Sequence, residues 1–347
     1  MRRELGILGA LIVTCLVIWA SNPDFVSAAN FFNLSRQISM LAIFAIGIGF
    51  VIITGGIDLS VGSIVGLTGV LIAKISSPAA ECFNQPLWIG IGVALAVALL
   101  IGLAQGLLIT WLNLQPFIVT LGFMLLIRGV SQVIVRGGNL SFGSSHFPNW
   151  VNKSLIQFHG WSIVSYPVLI LLIVVALATY LLHFTVFGRY VYAIGGNRDA
   201  AEYSGIPVKT VETLTYVISA GTAGIAGVCY AAYIGQMSQQ VGVAYELYAI
   251  AAAVLGGCSL RGGEGSVLGI VIGSAMMRVI YSGINFFKIL YHDAAGHLRE
   301  WRLGPDWENV IIGAVILLAV TLDQVVHVLQ ARRRTRKAGE AASVKAL

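Results

Sequence analysis

The chain has 347 residues, of which 57% are hydrophobic and 10% charged, and its formal net charge is +6. A soluble globular domain carries about 25% charged residues, so that class is excluded. The basic residues gather at Arg2–Arg3, in a middle loop and in the RRRTRK stretch at 332–337 rather than on one face, which argues for membrane flanks and against nucleic acid.

Crossing about 30 Å of hydrocarbon at about 1.5 Å per residue takes roughly 20 apolar residues. Apolar runs between polar breaks place ten candidate spans, at 5–20, 38–54, 60–76, 87–112, 117–135, 163–186, 210–234, 246–258, 264–285 and 309–330. The third and eighth are short or interrupted by glycine. The first also has the form of a signal peptide, with Val26–Ser27–Ala28 as a cleavage site; an uncleaved span is the reading adopted. Longer loops are expected at 136–162, 187–209 and 286–308. An even number of spans puts both termini and the 187–209 loop in the cytoplasm, with Lys288, Arg299 and Arg302 of the outer loop dissenting. The expected fold is an all-α integral membrane bundle of about ten transmembrane helices, some broken, with short cytoplasmic helices. It forms one domain over 1–335, followed by a cytoplasmic tail at 336–347. Gly62–Gly66, Gly102–Gly106 and Gly265–Gly269–Gly273 have small-xxx-small spacing, which serves packing inside one bundle or between subunits.

No catalytic signature is present. The chain lacks GxxxxGK[ST], HExxH and GxSxG motifs, and its four cysteines (Cys15, Cys82, Cys229, Cys258) lack ligand spacing. His292, Asp293 and His297 share a polar loop that reads as solvated, so no metal and no cofactor is expected. Three segments stand out. The first is TGGIDLSVGS at 54–63, where Asp58 lies deep in apolar sequence and needs a partner or a water-lined cavity. Gly55 and Gly56 permit a broken helix of the kind that lines transporter sites, while Asp58 and Ser60 equally suit a helix N-cap. The second is Arg128, with no acid in its own span; Asp58 is one possible mate. Gln105, Asn113 and Asn285 are milder polar cases. The third is FGRYVYAIGGNRDAAEYSGIPVKTVE at 187–212. There Asn197 or Asp199 caps a short helix through Tyr203, Gly205 ends it and Pro207 restarts the chain, giving either a docking element or a plain connector.

These segments, GGIDLSVGS at 55–63, RGV at 128–130 and FGRYVYAIGGNRDAAEYSGIPV at 187–208, resemble the permeases of ribose-type ABC importers. That family spans ribose, xylose, arabinose, galactose and autoinducer-2 permeases and, more distantly, branched-chain amino-acid permeases. AVLGG at 253–257, GGEGSVLG at 262–269 and VIIGAVILLAVTLDQ at 310–324 carry the likeness along nearly the whole chain. The resemblance implies a non-catalytic subunit of the bacterial cytoplasmic membrane that moves a monosaccharide or similar polar solute inward. Its implied partners are a cytoplasmic ABC ATPase, a periplasmic or extracellular solute-binding protein, a second permease (a copy or a paralogue) and membrane lipid, with no nucleic acid. It implies a substrate path between two such subunits and that Gly195, Gly196, Asn197, Ala200, Ala201, Ser204 and Gly205 sit in the ATPase groove; the broken helix and the polar residues of the spans make Gly55, Gly56, Asp58, Ser60, Arg128 and Asn285 the candidates for the substrate path. The stretch FFKILYHDAAGHLREWRLGPDWEN at 286–309 departs from the family's short outer loop, either altering partner recognition or forming an interfacial helix. Rival readings are an ion-coupled secondary transporter, for which Asp58 is the strong membrane acid, and an ABC importer of nucleosides or branched-chain amino acids.

Overall fold

The computed structural model describes residues 2–79, 82–143, 147–158, 161–286, 288–292 and 298–302, with scattered positions between 307 and 321. The helices among them, in chain order, are α1 (Arg2–Ser21), α2 (Ala28–Ile53), α3 (Val61–Ser76), α4 (Leu87–Trp111), α5 (Pro116–Val135), α6 (Phe147–Asn152), α7 (Tyr166–Phe184), α8 (Val186–Gly196), α9 (Arg198–Tyr203), α10 (Val208–Ile234), α11 (Tyr245–Leu255) and α12 (Val267–Phe286). Seven of them, α1, α2, α4, α5, α7, α10 and α12, are long and apolar enough to cross a membrane. The short third and eighth spans are α3 and α11, of 16 and 11 residues. At about 1.5 Å per residue neither reaches across the hydrocarbon. The tenth span and the C-terminal tail lie almost wholly outside the described residues.

The helices divide by what they bury. Every residue of α2 from Ser39 to Ile53 is buried, so this helix is apolar all round because it is surrounded by protein. It packs against α10, α12, α7 and α11. By contrast α4, α5 and α7 keep rows of large apolar side chains exposed, among them Leu100, Leu125, Leu126 and Leu177. Such surfaces suit lipid, where exposed apolar groups carry no hydration cost.

The glycine stripes are spent inside the bundle. Gly102 and Gly106 face the α10 backbone, Gly62 and Gly66 face the 241–246 segment, and Gly269 and Gly273 face the end of α11. With no hydrophobic drive between helices in lipid, this close backbone approach supplies dispersion contacts.

Two expected loops are structured. The 136–162 stretch holds α6 and two short strands, β1 (Leu140–Ser141) and β2 (Ser154–Phe158). β2 pairs with β3 (Trp161–Ser165), and β1 with β4 (Gln236–Met237). In the 286–308 stretch the interfacial-helix alternative is corrected. β5 (Lys288–His292) and β6 (Leu298–Arg302) form an antiparallel hairpin in register from Lys288↔Arg302 to His292↔Leu298. The aromatic and β-branched residues alternating along KILYH suit a strand better than a helix.

Candidate functional site

α2 ends where Gly55 takes φ +86, and the Gly55 and Gly56 amides donate back to Ile52 O and Val51 O. The chain then runs without regular structure to Ser60 before α3 begins, so the helix is broken as its glycines permit. Asp58 sits in this break with no solvent exposure. Its Oδ1 accepts from Ser60 N at 2.9 Å and Ser60 Oγ at 2.7 Å, and its Oδ2 accepts from Ser219 Oγ of α10 at 2.7 Å. Three donors to one carboxylate offset the cost of burying it. Ser60 makes no side-chain cap of α3; its own amide is held instead by Asp58, two residues earlier.

Arg128 is not the mate of Asp58. Its Nη2 donates to Gly242 O at 3.1 Å and lies 3.7 Å from Glu246 Oε1, at the start of α11. The pair is largely buried, with 20% and 9% of the two side chains exposed. Sequence reading missed Glu246 because an acid in the first turn of a helix is an ordinary dipole partner, and the 235–244 segment had not been seen to fold back beside α3. That fold-back sets Glu246 against Gly62, while Ser63 Oγ donates to Met124 O of α5 at 3.1 Å. Thus the first turn of α3 is held by α5, α10 and α11 together. Asn285 does not join this group; it is exposed near the end of α12 and donates to Tyr281 O of its own helix.

The 187–209 loop forms a second element of the site. Thr185 caps α8, whose Val191 and Ile194 are buried. Tyr192 Oη donates to Gly265 O at 2.7 Å; burial pushes its phenol up to about 12, so it stays a donor. Gly195 lies flush against the Ile53 carbonyl and Gly263, where no side chain fits. Asn197 then caps α9, its Oδ1 accepting from Ala200 N at 2.9 Å. Ser204 and Gly205 at φ +82 close the turn, and Pro207 precedes α10. Arg198 anchors α9 to α10 by a two-pronged contact with Glu212, at 2.9 and 3.3 Å. Of the seven residues expected on the docking face, Gly196, Asn197, Ala200, Ser204 and Gly205 are exposed. Ala201 points into the bundle and Gly195 against its backbone. Tyr203, 92% exposed at the tip of α9, is an outward aromatic that motif reading passed over.

Among the described residues no cluster of metal-ligating side chains occurs. The profile of the family described as "Branched-chain amino acid transport system / permease component" matches residues 30–320. The chain is 35% identical over 317 residues to the ribose import permease protein RbsC of Escherichia coli (strain K12), covering 90% of this chain and 91% of that protein. It is 33% identical over 333 residues to the galactose/methyl galactoside import permease protein MglC of the same organism, covering 93% and 94%. To the probable ABC transporter permease protein y4mJ of Sinorhizobium fredii (strain NBRC 101917 / NGR234) it is 32% identical over 323 residues, covering 93% and 90%. No solved structure matches.

Proposed function

Because the chain belongs to this family of transport-system permease components, we propose that it is the membrane subunit of an ABC importer, carrying a monosaccharide or related neutral polyol into the cell. The observation that carries this reading is α9: a short helix capped by Asn197, closed at Gly205, exposed along one side and tied to α10 through Arg198 and Glu212. Such an element passes motion from a bound partner into the bundle. The partner is a separate ATPase, which supplies the hydrolysis that this chain has no motif for. A solute-binding protein delivers cargo at the opposite face, and a second permease, identical or paralogous, completes the path. The Arg-rich tail and the 187–209 loop support a reading with both termini in the cytoplasm of a bacterial inner-membrane protein.

Two features weigh the cargo. The family description names branched-chain amino acids, whereas relatives matched over nine-tenths of the chain are named for ribose and galactose. An amino-acid zwitterion asks for free charges in the path, but Arg128 already lies 3.7 Å from Glu246 and donates to Gly242 O. The ion-coupled rival weakens likewise, since both oxygens of Asp58 are taken by protein donors.

The test is reconstitution in liposomes with the cognate ATPase and binding protein. ATP-dependent uptake of ribose or galactose is expected, with none driven by a proton or sodium gradient alone. Asn197→Arg, which puts bulk and charge on the exposed face of α9, is expected to abolish both uptake and ATPase stimulation while the protein still inserts. Normal uptake by that variant, or gradient-driven uptake without ATPase, overturns the reading.

A further inference from the structure

The coupling segment divides at Asn197 into two helices that are held by different parts of the bundle. α8 goes with the end of α2: its Gly195 lies against the Ile53 carbonyl, which also accepts from Gly263 N at 2.8 Å. Tyr192 of α8 donates to Gly265 O in the same 256–266 turn. α9 instead goes with α10, through Arg198 and Glu212. The break at 54–60 is divided the same way. Its Ile53 end is held by α8 and that turn, whereas Asp58, toward its far end, is held by Ser219 of α10. One face of α10 makes both contacts on its side. Glu212, Tyr216 and Ser219 recur at i, i+4 and i+7, so they line one side of the helix within about 10 Å of rise. Glu212 holds α9 and Ser219 holds the carboxylate, while a Cβ on Gly56 would come within 2.6 Å of Tyr216 Oη. The break therefore lies flush on the face that anchors the coupling helix.

We propose that α10 carries displacement of α9 to Asp58, so that the helix break at 54–60 changes shape as the coupling helix moves. Glu212 and Ser219 are the positioning residues at the two ends of this link, and Asn197 is the joint at which α9 moves relative to α8. The proposal rests on the importer reading above and adds the route by which a bound ATPase reaches the broken helix. Close-packed interiors resist compression and transmit strain, which suits a helix to this task. α2 and α10 are packed together, so the motion is a small slide of one helix past the other. A slide is enough, because the break is gripped from both sides.

The measurement is sugar moved per ATP hydrolysed, with ribose or galactose, by importers purified as intact assemblies and reconstituted in liposomes with loaded binding protein. A variant that merely destabilises the bundle yields fewer assemblies, and those recovered keep the wild-type ratio. Glu212→Gln and Ser219→Ala are each expected to lower the ratio about fivefold or more, the scale of a coupling free energy between two sites. The double variant discriminates further. The two residues stand about 10 Å apart along α10 and share no partner, so independent effects of the two changes would multiply in the ratio. Two breaks in one link do not multiply, and the double variant is expected to show the ratio of the single ones. A wild-type ratio in either single variant, or multiplied losses in the double, overturns the link while the importer reading stands. If the wild-type assembly takes up neither sugar with ATP, the underlying reading has failed and the link falls with it.

Discussion

At Asp58 the chain keeps a carboxylate where no solvent reaches it, and three serine donors hold it there. Hydrogen bonds to a charged group contribute about 1.5–3 kcal/mol each. Ser219→Ala is therefore expected to destabilise the detergent-solubilised protein by about 2 kcal/mol, read as a lowered thermal midpoint. Ser60→Ala should cost less, since the Ser60 amide still reaches Oδ1. Equal effects would mean that the link from the helix break to α10 is not what holds the carboxylate. The Arg128–Glu246 pair obeys a different rule. Removing one member of a buried pair leaves an uncompensated charge and costs about 3–5 kcal/mol, the lower end here because Arg128 keeps a fifth of its side chain exposed. Arg128→Met and Glu246→Gln should each destabilise strongly, and the double variant by clearly less than their sum. Strict additivity would show that the two residues do not interact.

The elements differ in how far they could be read beforehand. α9 was legible nearly to the residue, with its cap left between Asn197 and Asp199, because Asn197, Gly205 and Pro207 are start and stop signals whose chemistry is local. The seven long apolar helices were legible because lipid imposes one period and one length. Partners across helices were not legible. Arg128 announces only that it needs an acid; that Glu246 supplies it depends on the 235–244 segment folding back beside α3, and no local pattern encodes that. The hairpin at 288–302 was hidden because the alternation along KILYH is only five residues long and lies in an otherwise polar stretch. Close backbone approach was equally silent, as at Gly195, which looked like one more residue of the docking face. Wedged against the Ile53 carbonyl and Gly263, it has no room for a side chain. Gly195→Val is therefore expected to lose folded protein from the membrane, whereas Asn197→Arg, two residues on but exposed, leaves the amount inserted unchanged. Limited proteolysis of membranes from both variants separates the two; equal protection would place Gly195 outside the packed interior.

Across the whole molecule the two faces carry unlike devices, and α12 ties one to the other. Its first turn begins beside Gly265, whose carbonyl accepts from Tyr192 of α8. Its 20 residues then rise about 30 Å, one hydrocarbon thickness, before the β5–β6 hairpin begins. The hairpin therefore stands at the face opposite α9, where a solute-binding protein would dock. A lone two-stranded hairpin is marginal in water, so a partner surface is the natural source of its order. Replacing residues 287–303 with a short Gly/Ser linker is expected to leave insertion and basal ATPase activity of the assembled importer intact. The same change should sharply reduce the rise in ATPase rate on adding loaded binding protein. Since α9 and its Arg198–Glu212 anchor are untouched, a fall in basal activity would indicate damage to the bundle rather than to docking. Undiminished stimulation by the binding protein would show that the hairpin plays no part in receiving it.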